Sequence, residues 1–147
     1  MVDLSATAED AAREAIELFY FAYRAFTSAP DDILRQRGLG RVHHRILYFV
    51  GRHPSVSISD LLEILAISKQ ALNAPLRRLT VKGLIGVNSD ESDRRYRYLT
   101  LTASGRSLET QLTGTQMQHL AKVFALSGKE AATGWKAIMR LVPAQSP

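Results

Sequence analysis

Between Ser68 and Gly83 the chain reads SKQALNAPLRRLTVKG, and the spacing of its polar side chains suits molecular recognition. Lys69, Asn73 and Arg77 recur every fourth residue with Gln70 beside them, so a helix places them on one face. Amides pair bidentately with adenine edges, guanidinium groups with guanine, and lysine also serves phosphate. Arg78 and Lys82 lie nearer the end of the segment, where phosphate contact or plain solvation suits them better. A second basic group follows in DESDRRYR, where Arg94, Arg95 and Arg97 mix with Asp90, Glu91 and Asp93. Carboxylates near phosphates weaken binding unless they are paired internally. Without context, the first group is equally well a solvated helix face, so the surrounding elements have to decide.

Other chemistry finds little support. There is no cysteine, which excludes disulfides, thiolate metal ligands and thiol oxidation switches, and makes a reducing cytoplasm the default. His43 and His44 are neighbours on a helical pattern and point about 100° apart, so they do not chelate together unaided. No metal site and no cofactor is expected. No nucleophile elbow, glycine-rich phosphate loop or paired-carboxylate frame occurs, and no enzyme is expected.

The 147 residues suit one ordinary domain or a small domain with extra helices, and an apolar fraction of 46% fills a core. No apolar run approaches the ~18 residues that span a bilayer, and the acidic opening stretch is unlike a signal peptide, so no membrane partner is expected. The net charge is +5 and unevenly spread: residues 1–30 carry −3, residues 31–53 and 54–106 carry +3 each. A basic middle behind an acidic start points to a polyanionic partner.

The elements that must position these residues are readable in outline. Thr7 and Asp10 form a variant capping box for a helix running to Phe26, whose IELFYFAYRAF stretch is apolar over more than one stripe and asks for a second partner. TSAPDD reads as a break, with a short turn through Ile33 and Leu34. A helix follows with Leu39, Val42, Ile46, Phe49 and Val50 inward, stopped by Gly51 and Pro54. Ser57 with Asp60 opens a short helix, Ala66–Ser68 is a tight turn, and Ser68 is a good N-cap for the basic segment. LIGV and YRYLTL flank a polar loop and predict a hairpin. Thr102 caps a long helix, and Ser127 with Glu130 opens a last one through Trp135, Ile138 and Leu141.

Three helices and a two-stranded hairpin, in that order, make a winged helix. The stretch from Gly40 to Gly105 resembles the MarR family of bacterial winged-helix transcriptional regulators. The resemblance is carried by the helix-turn-helix ISDLLEILAISKQALNAPLRRLTVKGLI, the wing DESDRRYRYLTLTASG and its closing L-T-x-x-G at Leu101–Gly105. It implies a mainly α fold with a small β-hairpin wing, a winged helix-turn-helix flanked by N- and C-terminal dimerisation helices. Residues 38–102 would bind double-stranded DNA, and 1–30 with 103–147 would join two copies as a homodimer. Ser68, Lys69, Gln70, Asn73, Arg77 and Arg78 would serve in the recognition helix, and Asp93, Arg94, Arg95 and Arg97 in the wing. By the family pattern Asp93 holds the wing loop while Arg95 reaches DNA. An effector pocket between the dimer helices and the reading domain would offer His43 or His44, with Tyr23 opposite, to a small anionic or phenolic ligand. A protein-binding winged helix, or a ligand-binding protein without DNA affinity, is the alternative.

Pro75 departs from the family pattern. It lies where a helix interior costs roughly 3 kcal/mol for the lost donor and the ring clash. Either one continuous helix bends toward Pro75, which the register of Leu72, Leu76 and Leu79 favours, or Asn73 caps a fresh helix start.

Overall fold

The computed structural model describes residues 4–145. Helix α1 (Leu4–Gln36) begins before Thr7 and Asp10, which therefore sit inside it rather than capping it. It also runs unbroken through TSAPDD, against the expected break. Tertiary packing explains the continuity, because Pro30 and Leu34 are fully buried. Proline at position 30 leaves the Phe26 carbonyl without its helical donor. The side-chain amide of Gln116, from a distant helix, approaches that oxygen at 3.5 Å. The buried Thr27 hydroxyl donates to the Tyr23 carbonyl at 2.9 Å, so it too is satisfied within the helix.

Helices α2 (Arg41–Arg52), α3 (Ile58–Leu65) and α4 (Lys69–Val81) follow, with the two-residue strand β1 (Val56–Ser57) before α3. The predicted caps of α3 and α4 are in place. Ser57 Oγ accepts from the Asp60 N–H at 3.0 Å, and Ser68 Oγ accepts from Ala71 N–H at 3.1 Å. Ala66 takes the left-handed conformation (φ 54°) that closes the tight turn between them. Strands β2 (Ile85–Ser89) and β3 (Arg97–Leu101) form the expected hairpin, but the sheet has three antiparallel strands in the order β1-β3-β2. Val56 pairs with Leu99 and both are buried, which holds the short first strand to the wing.

Long helix α5 (Ala103–Ser127) starts at Thr102, whose Oγ1 accepts from the Gly105 N–H at 3.0 Å. The same hydroxyl donates to the Gly83 carbonyl, 2.6 Å away, and the Thr102 N–H reaches the Leu84 carbonyl at 3.2 Å. Leu101–Gly105 is thus the joint that ties the exit of the wing to the end of α4. A Cβ at Gly105 would lie 1.9 Å from the Leu84 carbonyl oxygen, so only glycine fits there. Helix α6 (Lys129–Ala144) begins at Gly128 (φ 95°) without a side-chain cap. The expected Ser127 box does not form, because Ser127 closes α5 and its hydroxyl turns back toward Phe124 O.

The core lies where α2, α3, α4 and the first half of α5 meet the sheet: Ile46, Leu47, Leu61, Leu72, Leu79, Leu99 and Leu108 are fully buried. Away from it, Ile16, Leu18, Phe19 and Phe21 of α1 and Trp135, Ile138 and Leu141 of α6 stay exposed. No residue of α6 is buried within the protomer. Among the described residues, no helix is long and apolar enough to cross a membrane.

Candidate nucleic-acid interface

Helix α4 is one helix from Lys69 to Val81 with Pro75 inside it, so the fresh start at Asn73 is not what forms. Leu72 and Leu79 are buried and Leu76 half-buried, and this register holds the helix against the core across the proline. The donor that Pro75 lacks would have served the carbonyl of Ala71, an exposed residue that water can reach. The inward stripe leaves Lys69, Gln70, Asn73 and Arg77 exposed on the other side, as expected.

Between this face and the wing lies an open cleft of about 720 Å³. Lys69, Asn73 and Arg77 line it from α4, Arg95, Tyr96 and Arg97 from the wing, and Ser57 and Ser59 from the start of α3. Among the described residues, four cations line this cleft and no carboxylate does. Two basic walls without an acid between them concentrate positive potential where a phosphate backbone could run.

The acids of the wing are turned to internal use. Asp90 Oδ1 accepts from the Ser92 N–H at 2.9 Å and its hydroxyl at 2.7 Å, and these bonds hold the Asp90 carboxyl below the usual carboxylate range. Asp93 Oδ1 accepts from the Arg95 N–H at 3.0 Å and faces Arg95 Nε at 3.4 Å. That is the pairing the resemblance implies. The Arg95 side chain is 94% exposed, so the pair shapes the loop more than it stabilises the fold. Arg94 is exposed but does not line the cleft.

Arg78 does not line the cleft; its Nε and Nη2 both donate to the Gly38 carbonyl, at 3.2 and 2.9 Å.

A second cavity, about 340 Å³, lies between α1, α2 and α5. Tyr23 and His44 line it, as expected; His43 does not, because its Nδ1 accepts the Gly40 N–H at 2.9 Å at the start of α2. Arg41, Arg45, Asp31 and Thr113 also line it, and sequence reasoning missed all four. Arg45 Nη2 donates to the Tyr23 hydroxyl at 3.1 Å, and Arg41 grips Asp31 and lies over the Tyr23 ring. Arg41 and Arg45 stand four apart, which was visible, but their partners come from α1, which a local pattern does not reveal. Thr113 donates to Glu109 Oε1 at 2.9 Å, so His44 Nε2, at 3.2 Å, must be the donor to the threonine oxygen. Burial chiefly, with Arg45 nearby, lowers the tendency of His44 to take a proton, although Glu109 and Asp31 oppose this.

A helix-turn-helix whose exposed basic face meets a basic wing defines the class of winged-helix DNA-binding regulators. The sequence profile of the MarR family matches residues 37–95. The chain is 37% identical over 127 residues to the HTH-type transcriptional regulator PetP of Rhodobacter capsulatus, covering 86% of this chain and 76% of that one. It shares its fold with Streptococcus pneumoniae FabT in complex with DNA (TM-score 0.76, 20% identity, 88% of this chain and 94% of that one). The Staphylococcus aureus MepR–DNA complex is similar at TM-score 0.72 and 20% identity, over 88% and 96% of the two chains. The chain belongs to the MarR family of transcriptional regulators.

Proposed function

We propose that the protein is a homodimeric, cytoplasmic repressor that reads a two-fold-symmetric DNA operator and is released by a small anionic or phenolic effector. The observation that carries the DNA reading is the cleft in which Lys69, Arg77, Arg95 and Arg97 face one another, with no carboxylate on the lining among the described residues. In this reading Ser68 caps the recognition helix, Lys69, Gln70, Asn73 and Arg77 enter the major groove, and Arg94, Arg95 and Arg97 follow the adjacent backbone or minor groove. A narrow minor groove concentrates negative potential and attracts arginine. Residues 38–102 form the reading domain, and the segments 1–30 and 103–147 hold two copies together.

Dimerisation is supported by the exposed apolar side chains of α1 and α6, among them Ile16, Leu18, Phe19, Ile138 and Leu141. The FabT and MepR complexes with DNA support the same reading. Two recognition helices about 34 Å apart would enter successive major grooves on one face of the duplex. The α1–α2–α5 cavity supplies a guanidinium, Arg45, that donates to the Tyr23 phenol, and that combination suits a carboxylate or phenolate. A ligand seated there would tilt α1 against α2, and a differential affinity of a few kcal/mol empties the operator.

Sedimentation of the purified protein, followed by hydroxyl-radical footprinting on a selected duplex, tests this reading. The expected result is a dimer that protects two patches one helical turn apart on one face. A monomer, or a single continuous footprint insensitive to sequence, refutes it.

A further inference from the structure

Arg77 and Arg78 are neighbours on α4, yet a step of about 100° around the helix gives them opposite surroundings. Arg77 lines the basic cleft. Arg78 closes on the carbonyl of Gly38, forty residues earlier in the chain, with two N–H groups on one oxygen.

That oxygen is held still by its own backbone. Gly38 (φ 67°) ends α1 in a Schellman closure, with its N–H on the Arg35 carbonyl at 3.1 Å and the Leu39 N–H on the Leu34 carbonyl at 2.9 Å. Leu34 and Leu39 are both buried beneath it. Two residues later Gly40 caps α2, so Gly38 is the joint between the two helices. A side chain at this joint would be doubly unwelcome: the φ is left-handed, and a Cβ would stand 2.9 Å from Arg78 Nη2.

Electrostatics pull both ways here: the C-terminal end of α1 is the negative end of a helix dipole and favours a cation, whereas the start of α2 is the positive end of another and opposes it. Arg78 and Lys82 both oppose a positive charge on His43, whose Nδ1 caps Gly40 in the same corner. A guanidinium with no specific partner would swing toward water. The Gly38 carbonyl is what keeps it in place, and a charged donor makes the stronger kind of hydrogen bond.

We propose that Arg78 is a positioning residue, a clasp that fixes the back of the recognition helix to the joint between α1 and α2. The relative position of α1 and α2 also shapes the cavity that holds Tyr23 and Arg45. A shift of that joint therefore carries the Gly38 carbonyl, and with it the reading face of α4. The consequence for DNA rests on the function proposed above; the clasp itself is a property of the free protein.

The test uses the full-length protein with Arg78→Gln, Gly38→Ala, the double variant, and Arg95→Gln for comparison. In the free protein, hydrogen exchange is expected to rise together in residues 37–42 and 77–83 of Arg78→Gln and to stay at wild-type rates there in Arg95→Gln. On a selected duplex, Arg78→Gln weakens binding by roughly tenfold while the slope of log affinity against log salt stays at the wild-type value. Arg95→Gln lowers that slope by about one, as a lost phosphate contact does. Adding Gly38→Ala to Arg78→Gln costs less than the two single losses combined, because the guanidinium that the new Cβ would displace is already gone and only the strain of the left-handed φ remains.

Unchanged exchange in Arg78→Gln, a salt slope that falls by about one, or additive losses in the double variant would each overturn the clasp. If the wild-type protein binds no duplex, the proposed function fails, and the exchange data alone decide whether the clasp exists.

Discussion

Gly105 is the third residue of α5, and replacing it with alanine sets two physical effects against each other. Helix propensity favours the change by about 1 kcal/mol, since glycine is the poorer helix former. The packing opposes it. The new Cβ would stand 1.9 Å from the oxygen of Leu84, 2.8 Å from its carbonyl carbon and 3.3 Å from its Cα. It therefore meets a whole peptide group rather than the end of a flexible side chain. Leu84 and Ile85 are 3% and 2% exposed and anchored in the core, so that peptide has nowhere to retreat. Opening the gap to an ordinary contact needs about 1.5 Å of movement, and overpacking of this kind costs about 1–3 kcal/mol or more. The shift also strains the bond from the Thr102 N–H to the Leu84 carbonyl, worth about 1 kcal/mol.

With the propensity gain set against these costs, the net loss for Gly105→Ala is about 1–3 kcal/mol. At about 3 °C per kcal/mol for a chain of this size, the melting temperature should fall by roughly 3–9 °C. Thermal unfolding at one fixed protein concentration measures it. Gly114→Ala, in the same helix with open space around its Cβ position, is the comparison and should gain up to about 1 kcal/mol. A Gly105→Ala protein that melts at or above the wild-type temperature would refute the claim that this joint is closed by a steric limit.

Three further outcomes are expected. Asn73→Ala and Arg77→Ala should each weaken binding to a selected duplex by about 1–3 kcal/mol and relax preference at one or two base positions; equal losses on all sequences would count against base reading. Pro75→Ala restores a backbone donor in α4 and should raise the melting temperature by roughly 3–6 °C after some loss of packing by this half-buried ring, whereas a drop would show that the proline is stabilising where it stands. His43 and His44 both have proton affinities lowered from the ordinary 6.5, in each case chiefly by burial. The folded protein thus holds fewer protons than the unfolded chain just below pH 6.5. Their contribution is complete above that value and lost as the pH falls through 6.5 toward the native values. Melting temperature should therefore decline on acidification from pH 7.5 to 5.5, less so in a His43→Gln/His44→Gln double variant; identical pH profiles for the two proteins would contradict the assignment.

Features governed by neighbours in the chain were legible before the structure. The hydroxyls of Ser57, Ser68 and Thr102 bond amides three residues ahead, and each cap forms as expected. The α4 stripe of Leu72, Leu76 and Leu79 and the exposed row Lys69–Asn73–Arg77 follow from helical period alone. The pairing of Asp93 with Arg95 came from family resemblance, and the wing loop contains it.

What the sequence did not disclose depends on distant partners. TSAPDD looks like a break, yet burial of Pro30 and Leu34 carries α1 through it. A two-residue strand has no alternation to read, and β1 exists because Leu99 and Tyr98 lie opposite it. Ser127 has the right neighbours for a cap, but its hydroxyl has a competing carbonyl behind it. Arg78 and Arg45 look like surface cations until residues forty and twenty-two positions away turn out to face them.

The most direct test of the account is selection from a pool of random duplexes at low salt, repeated at two higher salt concentrations. The expected result is an enriched two-fold-symmetric site whose affinity falls steeply and linearly on a log–log scale as salt rises. No enrichment, with binding that is absent or indifferent to salt, would contradict the claim that the cleft between α4 and the wing reads DNA.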